Sequence, residues 1–134
     1  MESQTTSAMR YVANTHAKPW GHEVVFAVVP DKYVGKIIHV KAGQSLSCQY
    51  HVKKHETITL LRGEALVEHG ATPDNLRSDR FSPGDTIHLP AGVVHRIEAV
   101  TDTVLIECST AWKGWEHDVV RLKDAYGREG TSSP

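Results

Sequence analysis

Short runs of β-branched and aromatic residues, each followed by a turn signal, recur along most of this 134-residue chain. Residues 23–29 stop at Pro30-Asp31, and residues 33–41 stop at Ala42-Gly43. Helical periodicity is weak throughout, so strands of this length and spacing predict an all-β sandwich or barrel. The other predicted strands are residues 57–61, 64–68, 86–89, 95–100 and 103–108.

The chain is long enough to bury one core and too short for two. We expect residues 16–128 to form the barrel, after a flexible leader or edge strand at residues 1–15. Residues 129–134 are polar and are predicted to be a disordered tail. Residues 70–79 are predicted as a polar loop, and residues 118–126 as a short helix or turn-rich segment.

Two segments of the chain carry four candidate metal ligands, which are Gln49, His51, Glu56 and His95. Residues two apart in a strand point to the same face, so Gln49 and His51 are predicted to face the barrel interior. A turn then returns Glu56 on the adjacent strand, and His95 follows the Pro90-Ala-Gly turn of a second hairpin. Two imidazoles, one carboxylate and one amide oxygen suit a borderline divalent ion with open positions. We expect Zn²⁺, with Mn, Fe, Ni and Co ions as alternatives.

These segments resemble the two motifs of the cupin superfamily. The first motif is usually His-x-His, then Glu, then Gly, and here Gln49-Tyr-His51 is followed by Glu56 and, after six residues, Gly63. The resemblance implies a single-domain cupin, a double-stranded β-helix or jelly-roll barrel with a metal inside. The second motif matches at Gly84, Pro90, Gly92 and His95.

A narrower resemblance covers nearly the whole chain. Lys18-Pro-Trp-Gly resembles the opening of the cupin domain in type II mannose-6-phosphate isomerases, and residues 116–128 resemble its terminal signature. That family also has Gln-x-His in its first motif, as Gln49 and His51 do here. The resemblance implies a metal-dependent aldose–ketose isomerase of carbohydrate metabolism that acts on mannose 6-phosphate or a related sugar. It also implies a homodimer.

Glu107 and Lys36 are the candidate catalytic residues. Glu107 lies in an otherwise apolar strand, where an inward carboxylate facing the metal can act as a general base. The alternative is a surface glutamate on a sheet edge. Lys36 alternates with Ile38 and Val40 and faces the core if they do, but a shift of one residue in register would make it a solvated lysine.

Lys54, His88 and Arg96 are predicted to bind the substrate. Lys54 and Arg96 belong to a basic rim that can attract phosphate. His88 lies in an Ile-His-Leu strand and can face either side. For each side chain alone, a solvated surface position is the alternative. Four residues of the terminal signature are expected to close the structure rather than to catalyse, namely Arg121, Asp124, Tyr126 and Arg128.

Charge and hydropathy argue against several classes of function. The formal net charge is −1, so nucleic acid and anionic membranes are not expected partners. The chain lacks an apolar run of membrane-spanning length and a secretory leader, so we expect a cytoplasmic protein. Cys48 and Cys108 are interpreted as buried small side chains rather than as a disulfide.

Two other functions stay open. His51, Glu56 and His95 supply the two histidines and one carboxylate that Fe(II) dioxygenases use. A non-catalytic cupin that binds a sugar or another small ligand is the third hypothesis. It is favoured because the isomerase family commonly has Arg and His-Trp around the motif glutamate, whereas this chain has Lys54 before Glu56 and Thr57-Ile58 after it.

Overall fold

The computed structural model describes residues 7–132, which form two antiparallel sheets and one short 3₁₀ turn. The turn spans Trp115–His117. The strands are β1 Asn14–Lys18, β2 Gly21–Val29, β3 Tyr33–Val40, β4 Cys48–His51, β5 Glu56–Arg62, β6 Ala65–Gly70, β7 Arg77–Phe81, β8 Thr86–Leu89, β9 Val94–Ala99, β10 Thr103–Thr110 and β11 Val119–Lys123.

The first sheet has the strand order β1-β2-β3-β10-β5-β8, and the second has the order β11-β4-β9-β6-β7. Each sheet turns one face toward the other, and the core lies between them. Leu60 and Leu105 come from the first sheet, while Val67 and Ile97 come from the second. Each such side chain contributes about 1.5–3 kcal/mol when fully buried. The all-β barrel expected from the sequence is therefore confirmed.

Strand β5 shows how the sequence produces this arrangement. Its buried residues Glu56, Ile58 and Leu60 alternate with half-buried residues, as the two-residue period of a strand requires. The strand ends before Gly63, whose φ is 91°. A Cβ at this position would lie 2.2 Å from the carbonyl oxygen of Asp102, so only glycine fits the turn.

Two predicted segments differ from the structure. Residues 70–79 were expected to be a loop, but β7 begins at Arg77 and pairs with β6. The helix or turn predicted for residues 118–126 is wrong at its start, where β11 pairs with β4. Val119 and Arg121 are buried alternately along β11, so this segment follows a strand period. It completes the edge of the second sheet, which a single-sequence pattern does not show.

The chain ends are described only in part. Residues 1–6 and 133–134 of the predicted leader and tail lie outside the described residues. β1 is an edge strand that begins at Asn14. Near the other end, Gly130 N donates to Arg121 O at 2.8 Å, which ties this part of the predicted tail to β11. No helix within residues 7–132 is long and apolar enough to cross a lipid bilayer. Both cysteines are free, and Cys48 is buried as predicted, but the burial expected for Cys108 is wrong, because it lies at an exposed position of the β10 alternation.

Candidate metal centre

Three of the four predicted ligands meet between the sheets. His51 on β4 and His95 on β9 belong to the second sheet, and Glu56 opens β5 in the first. Their donor atoms all lie within 4.8 Å of one another. Glu56 was expected on the strand adjacent to β4, but β4 pairs with β9 and β11. The carboxylate therefore faces the two imidazoles from the opposite sheet.

His51, Glu56 and His95 form a buried triad, and their donor atoms point toward one position. Glu56 Oε1 lies 3.0 Å from His95 Nε2 and 3.4 Å from His51 Nε2. This oxygen is buried and has no aligned hydrogen bond. Burial alone would raise the pKa of Glu56, but His51, His95 and the charge of Lys54 hold that pKa well below its ordinary value. An ionised buried carboxylate beside two imidazoles is a donor set that a divalent cation satisfies.

Outer contacts orient the two imidazoles. His95 Nδ1 lies 3.0 Å from the carbonyl oxygen of Val93 and donates to it, which turns Nε2 toward Glu56. His51 Nδ1 faces Asp118 Oδ2 at 3.9 Å. Asp118 in turn accepts the backbone N–H groups of Lys53 and Lys54. The residues present therefore fit a metal ion, and the loop after β4 is part of its support.

Gln49 lies beside this triad. In the β4–β9 pairing it stands directly opposite His95, and its side chain lines the cavity that His51 also lines. Its Oε1 accepts a hydrogen bond from Ser47 Oγ. A carbonyl oxygen can accept from a hydroxyl and still offer a lone pair. Gln49 as a fourth ligand stays a prediction.

A cavity of about 440 Å³ opens beside the triad. Both candidate catalytic residues line it, and they stand directly opposite each other on β3 and β10. Glu107 is only 5 % exposed, which excludes the surface alternative. Lys36 donates to Glu23 Oε2 at 3.5 Å, and its ammonium lies 5.3 Å from the ring centre of Trp115. The inward register predicted for Lys36 is the one observed.

Lys54 is not a rim residue but a buried one, with 4 % exposure. Its Nζ lies 3.2 Å from Glu107 Oε2 and 3.6 Å from Glu56 Oε2. Burial acts to lower the pKa of Lys54, but the two carboxylates outweigh it and raise that pKa above its usual value. Lys54 thus connects the triad to the candidate base.

The structure does not bring the other two predicted substrate-binding residues to the cavity. On β8, Leu89 is buried and Ile87 packs on the core, so His88 points outward, where its Nδ1 lies 2.9 Å from Thr57 Oγ1. On β9, His95 and Ile97 point inward, so Arg96 lies on the outer face. Its Nε donates to Glu68 Oε1 at 3.0 Å. In both strands the two-residue alternation decides the direction.

Several cavity residues were not singled out as site residues by sequence reasoning. The signal was present, because Lys18 and Trp20 belong to the opening Lys-Pro-Trp-Gly segment, and Arg121 and Arg128 belong to the terminal signature. The terminal signature was interpreted as structural, and the opening segment was given no role. They line the same cavity as His51, together with Trp115 of the 3₁₀ turn.

Comparison with known proteins places this geometry in a family. Residues 5–124 match the family described as mannose-6-phosphate isomerase C-terminal. The xanthan biosynthesis protein XanB of Xanthomonas campestris is 32% identical over 131 residues, which cover 94% of this chain and 27% of that protein. The mannose-1-phosphate guanylyltransferase ManC of Salmonella typhimurium is 32% identical over 114 residues, 83% of this chain and 22% of that protein. The chain thus spans about a quarter of the length of these relatives.

Among solved structures, oxalate decarboxylase from Bacillus subtilis superposes with a TM-score of 0.75. The match covers 90% of this chain and 34% of that chain at 18% identity, so it bears on the fold alone. That protein is a cupin, and its likeness agrees with the two antiparallel sheets described above. This chain therefore belongs to the mannose-6-phosphate isomerase C-terminal family and is a cupin domain.

Proposed function

We propose that this cupin is a metal-dependent sugar-phosphate isomerase, which interconverts an aldose phosphate such as mannose 6-phosphate and the corresponding ketose. The observation that carries the proposal is the shared cavity. His51 of the buried triad and the carboxylate of Glu107 both line it. Part of the candidate ligand set and a separate acid–base group thus face one space large enough for a sugar. The family match supports the sugar-phosphate substrate.

Zn²⁺ is the proposed ion, held by His51, Glu56 and His95 with Gln49 as a fourth ligand. The donor set also accepts Mn, Fe, Ni and Co ions. A bound divalent ion would act as a Lewis acid toward the carbonyl and the adjacent hydroxyl of the open-chain sugar. Lys54 Nζ, 3.6 Å from Glu56 Oε2, helps to hold the ligand carboxylate in place.

Glu107 is the proposed base. It would take the proton from C2 of the open-chain sugar, while the C–H electron pair forms the C1–C2 double bond and the carbonyl π pair moves to O1. The protonated Glu107 then returns the proton to C1, and the hydroxyl proton moves from O2 to O1, which yields the ketose. Lys54 and Ser109 orient this carboxylate, because both donate to Glu107 Oε2. Lys36 forms an ion pair with Glu23 and suits a proton donor better than a base.

The experiment is turnover of mannose 6-phosphate to fructose 6-phosphate by metal-loaded protein, with and without a chelator. We expect chelator-sensitive turnover. Replacing the base by Glu107→Gln should lower kcat by about 10²–10⁴-fold while metal content stays unchanged. Glu98→Gln, on β9 and outside the cavity lining, is the matched control and should keep full turnover. No chelator-sensitive turnover would overturn the isomerase proposal for this substrate.

Two further measurements on the same protein distinguish the alternative functions. Oxygen uptake by the Fe(II)-loaded protein, without isomerisation, would support the dioxygenase hypothesis. A thermal shift with sugar phosphates and neither reaction would support a binding protein.

We also propose a cytoplasmic homodimer. Both cysteines are free thiols, which supports a reducing compartment.

The edge strand β1 follows an exposed apolar stretch with Met9, Tyr11 and Val12, a feature that favours association. Light scattering on the purified protein tests the dimer, and a monomer at micromolar concentration would refute it.

A further inference from the structure

Cationic side chains from both ends of the chain meet at one wall of the cavity. Lys18 ends β1, Arg121 lies on β11, and Arg128 follows β11; all three line the cavity. We call these three residues the basic wall. More than 100 positions separate the first from the other two. The opening segment and the terminal signature thus both contribute cationic side chains to the cavity lining.

The carboxylate beside Lys18 is shared with a second lysine of the cavity, Lys36. Glu23 Oε1 lies 3.6 Å from Lys18 Nζ, but Glu23 Oε2 also serves Lys36 at 3.5 Å. Burial is the largest cause that lowers the pKa of Lys18, and the charges of Lys36, Arg128 and Arg121 lower it further against the effect of Glu23. Burial also lowers the pKa of Arg121, and the charge of Arg128 adds to this effect, whereas Asp124 and Glu23 act to raise that pKa. The cations lie close enough to destabilise one another, and an anion between them would relieve this.

The backbone and neighbouring groups hold the wall in position. Gly21 has a φ of 154°, and a Cβ there would lie 2.0 Å from His39 O, so glycine lets the β1–β2 hairpin close against β3 and places Lys18. Asp124 accepts hydrogen bonds from Arg128 Nε at 2.8 Å and from Arg128 Nη2 at 3.1 Å. The guanidinium of Arg128 is therefore oriented while its Nη1 donors stay outside this contact.

We propose that Lys18, Arg121 and Arg128 form an anion subsite that binds the phosphoryl group of the substrate. This rests on the proposed function, because the ligand class is a phosphate monoester of a sugar whose carbonyl end reaches the buried triad. Arginine suits this role, since its planar fork of donors matches phosphate oxygens. The subsite replaces the predicted basic rim, of which Arg96 lies on the outer face and Lys54 is engaged by Glu107 and Glu56.

The test measures binding of inorganic phosphate and of mannose 6-phosphate to the metal-loaded protein by calorimetry. Lys18→Met and Arg128→Met should each weaken both affinities by about tenfold, the usual effect of losing one charge-assisted hydrogen bond. Arg128→Lys should restore part of the loss. Arg77→Met is the matched control, because Arg77 is 79% exposed on β7 and outside the cavity lining. Metal content and melting temperature identify any variant that fails to fold.

Each outcome tests the anion subsite independently of the isomerase activity. Wild-type protein that binds phosphate, with loss in the wall variants, supports the subsite even if no isomerisation is found. Turnover with an unchanged KM for mannose 6-phosphate in both wall variants would overturn the subsite and leave the isomerase standing. Wild-type protein that binds neither ligand, or an equal loss in Arg77→Met, would also overturn it.

Discussion

The buried triad and the basic wall lie beside one cavity but are built differently. His51, Glu56 and His95 come from strands near the middle of the sheets, and hydrogen-bonded neighbours flank β4, β5 and β9 on both sides. Lys18 and Arg121 come from β1 and β11, which are edge strands. The difference teaches that the centre of the fold groups the candidate metal ligands, while its edges contribute cationic side chains to the cavity.

The two regions also differ in their contact with solvent. Glu56 is 2% exposed, whereas the side chains of Lys18 and Arg128 are 15% and 19% exposed. Arg121 of the wall is 6% exposed, close to the 7% of His51, so only the interactions of Lys18 and Arg128 are screened more by water or salt than those of the triad.

The largest effect is expected from Glu56→Gln. It removes the only carboxylate among the grouped donors and should lower metal affinity by more than about 100-fold, since loss of an outer-shell partner alone costs about 10–100-fold. Phosphate binding at the wall should persist, because no wall residue contacts Glu56 in the ion pairs of the described chain. Metal analysis after dialysis and phosphate calorimetry measure the two effects. Unchanged metal content would refute the triad as a metal site.

Asp118→Asn tests the support of the triad. The variant weakens the acceptor of the Lys53 and Lys54 N–H groups and the carboxylate that faces His51 Nδ1. Metal affinity should fall by about 10–100-fold. The matched control is Asp79→Asn, which alters a carboxylate–histidine pair with His69 outside the cavity. An equal loss of affinity in both variants would argue against a role of Asp118 in the centre.

Salt should separate the regions without any substitution. Raising ionic strength from about 0.1 M to about 1 M shortens the screening length from about 10 Å to about 3 Å. Phosphate affinity should then drop several-fold, while metal retention stays nearly constant because the triad is buried. Parallel titrations at both salt concentrations measure this. Phosphate affinity that does not respond to salt would contradict a charged recognition surface.

The smallest effect is expected from Tyr126→Phe, which loosens the terminal segment. Tyr126 Oη donates to Gln44 Oε1 at 2.6 Å and accepts from Ser45 N at 3.2 Å. Losing these bonds should lower the free energy of unfolding by about 1–2 kcal/mol. Urea denaturation measures it, with the exposed Tyr33→Phe as control. A loss of metal in Tyr126→Phe would show that the terminal segment and the buried triad are coupled.

Much of the fold could be predicted because strands and turns produce recognisable patterns in the local sequence. The alternation of residues 57–61 and the turn at Gly63 specify β5, and β8 at 86–89 has the predicted bounds. β11 was missed, since its strand character depends on the open edge of β4. The direction of His88 and Arg96 also escaped prediction, because it depends on the strand register rather than on residue type.

The sequence by itself determined an all-β cupin and the motif spacing that brings His51, Glu56 and His95 together. The all-β fold follows from short-range rules, namely strand alternation and turns at fixed intervals, whereas the cupin assignment rests on the resemblance of the two motifs. Only the tertiary structure decided that Glu56 faces the histidines from the opposite sheet, that Lys54 is buried between two carboxylates, and that Lys18 and Arg121 line one cavity. These arrangements join residues far apart in the chain, and their energies depend on burial and charge, which exist only once the sheets have packed.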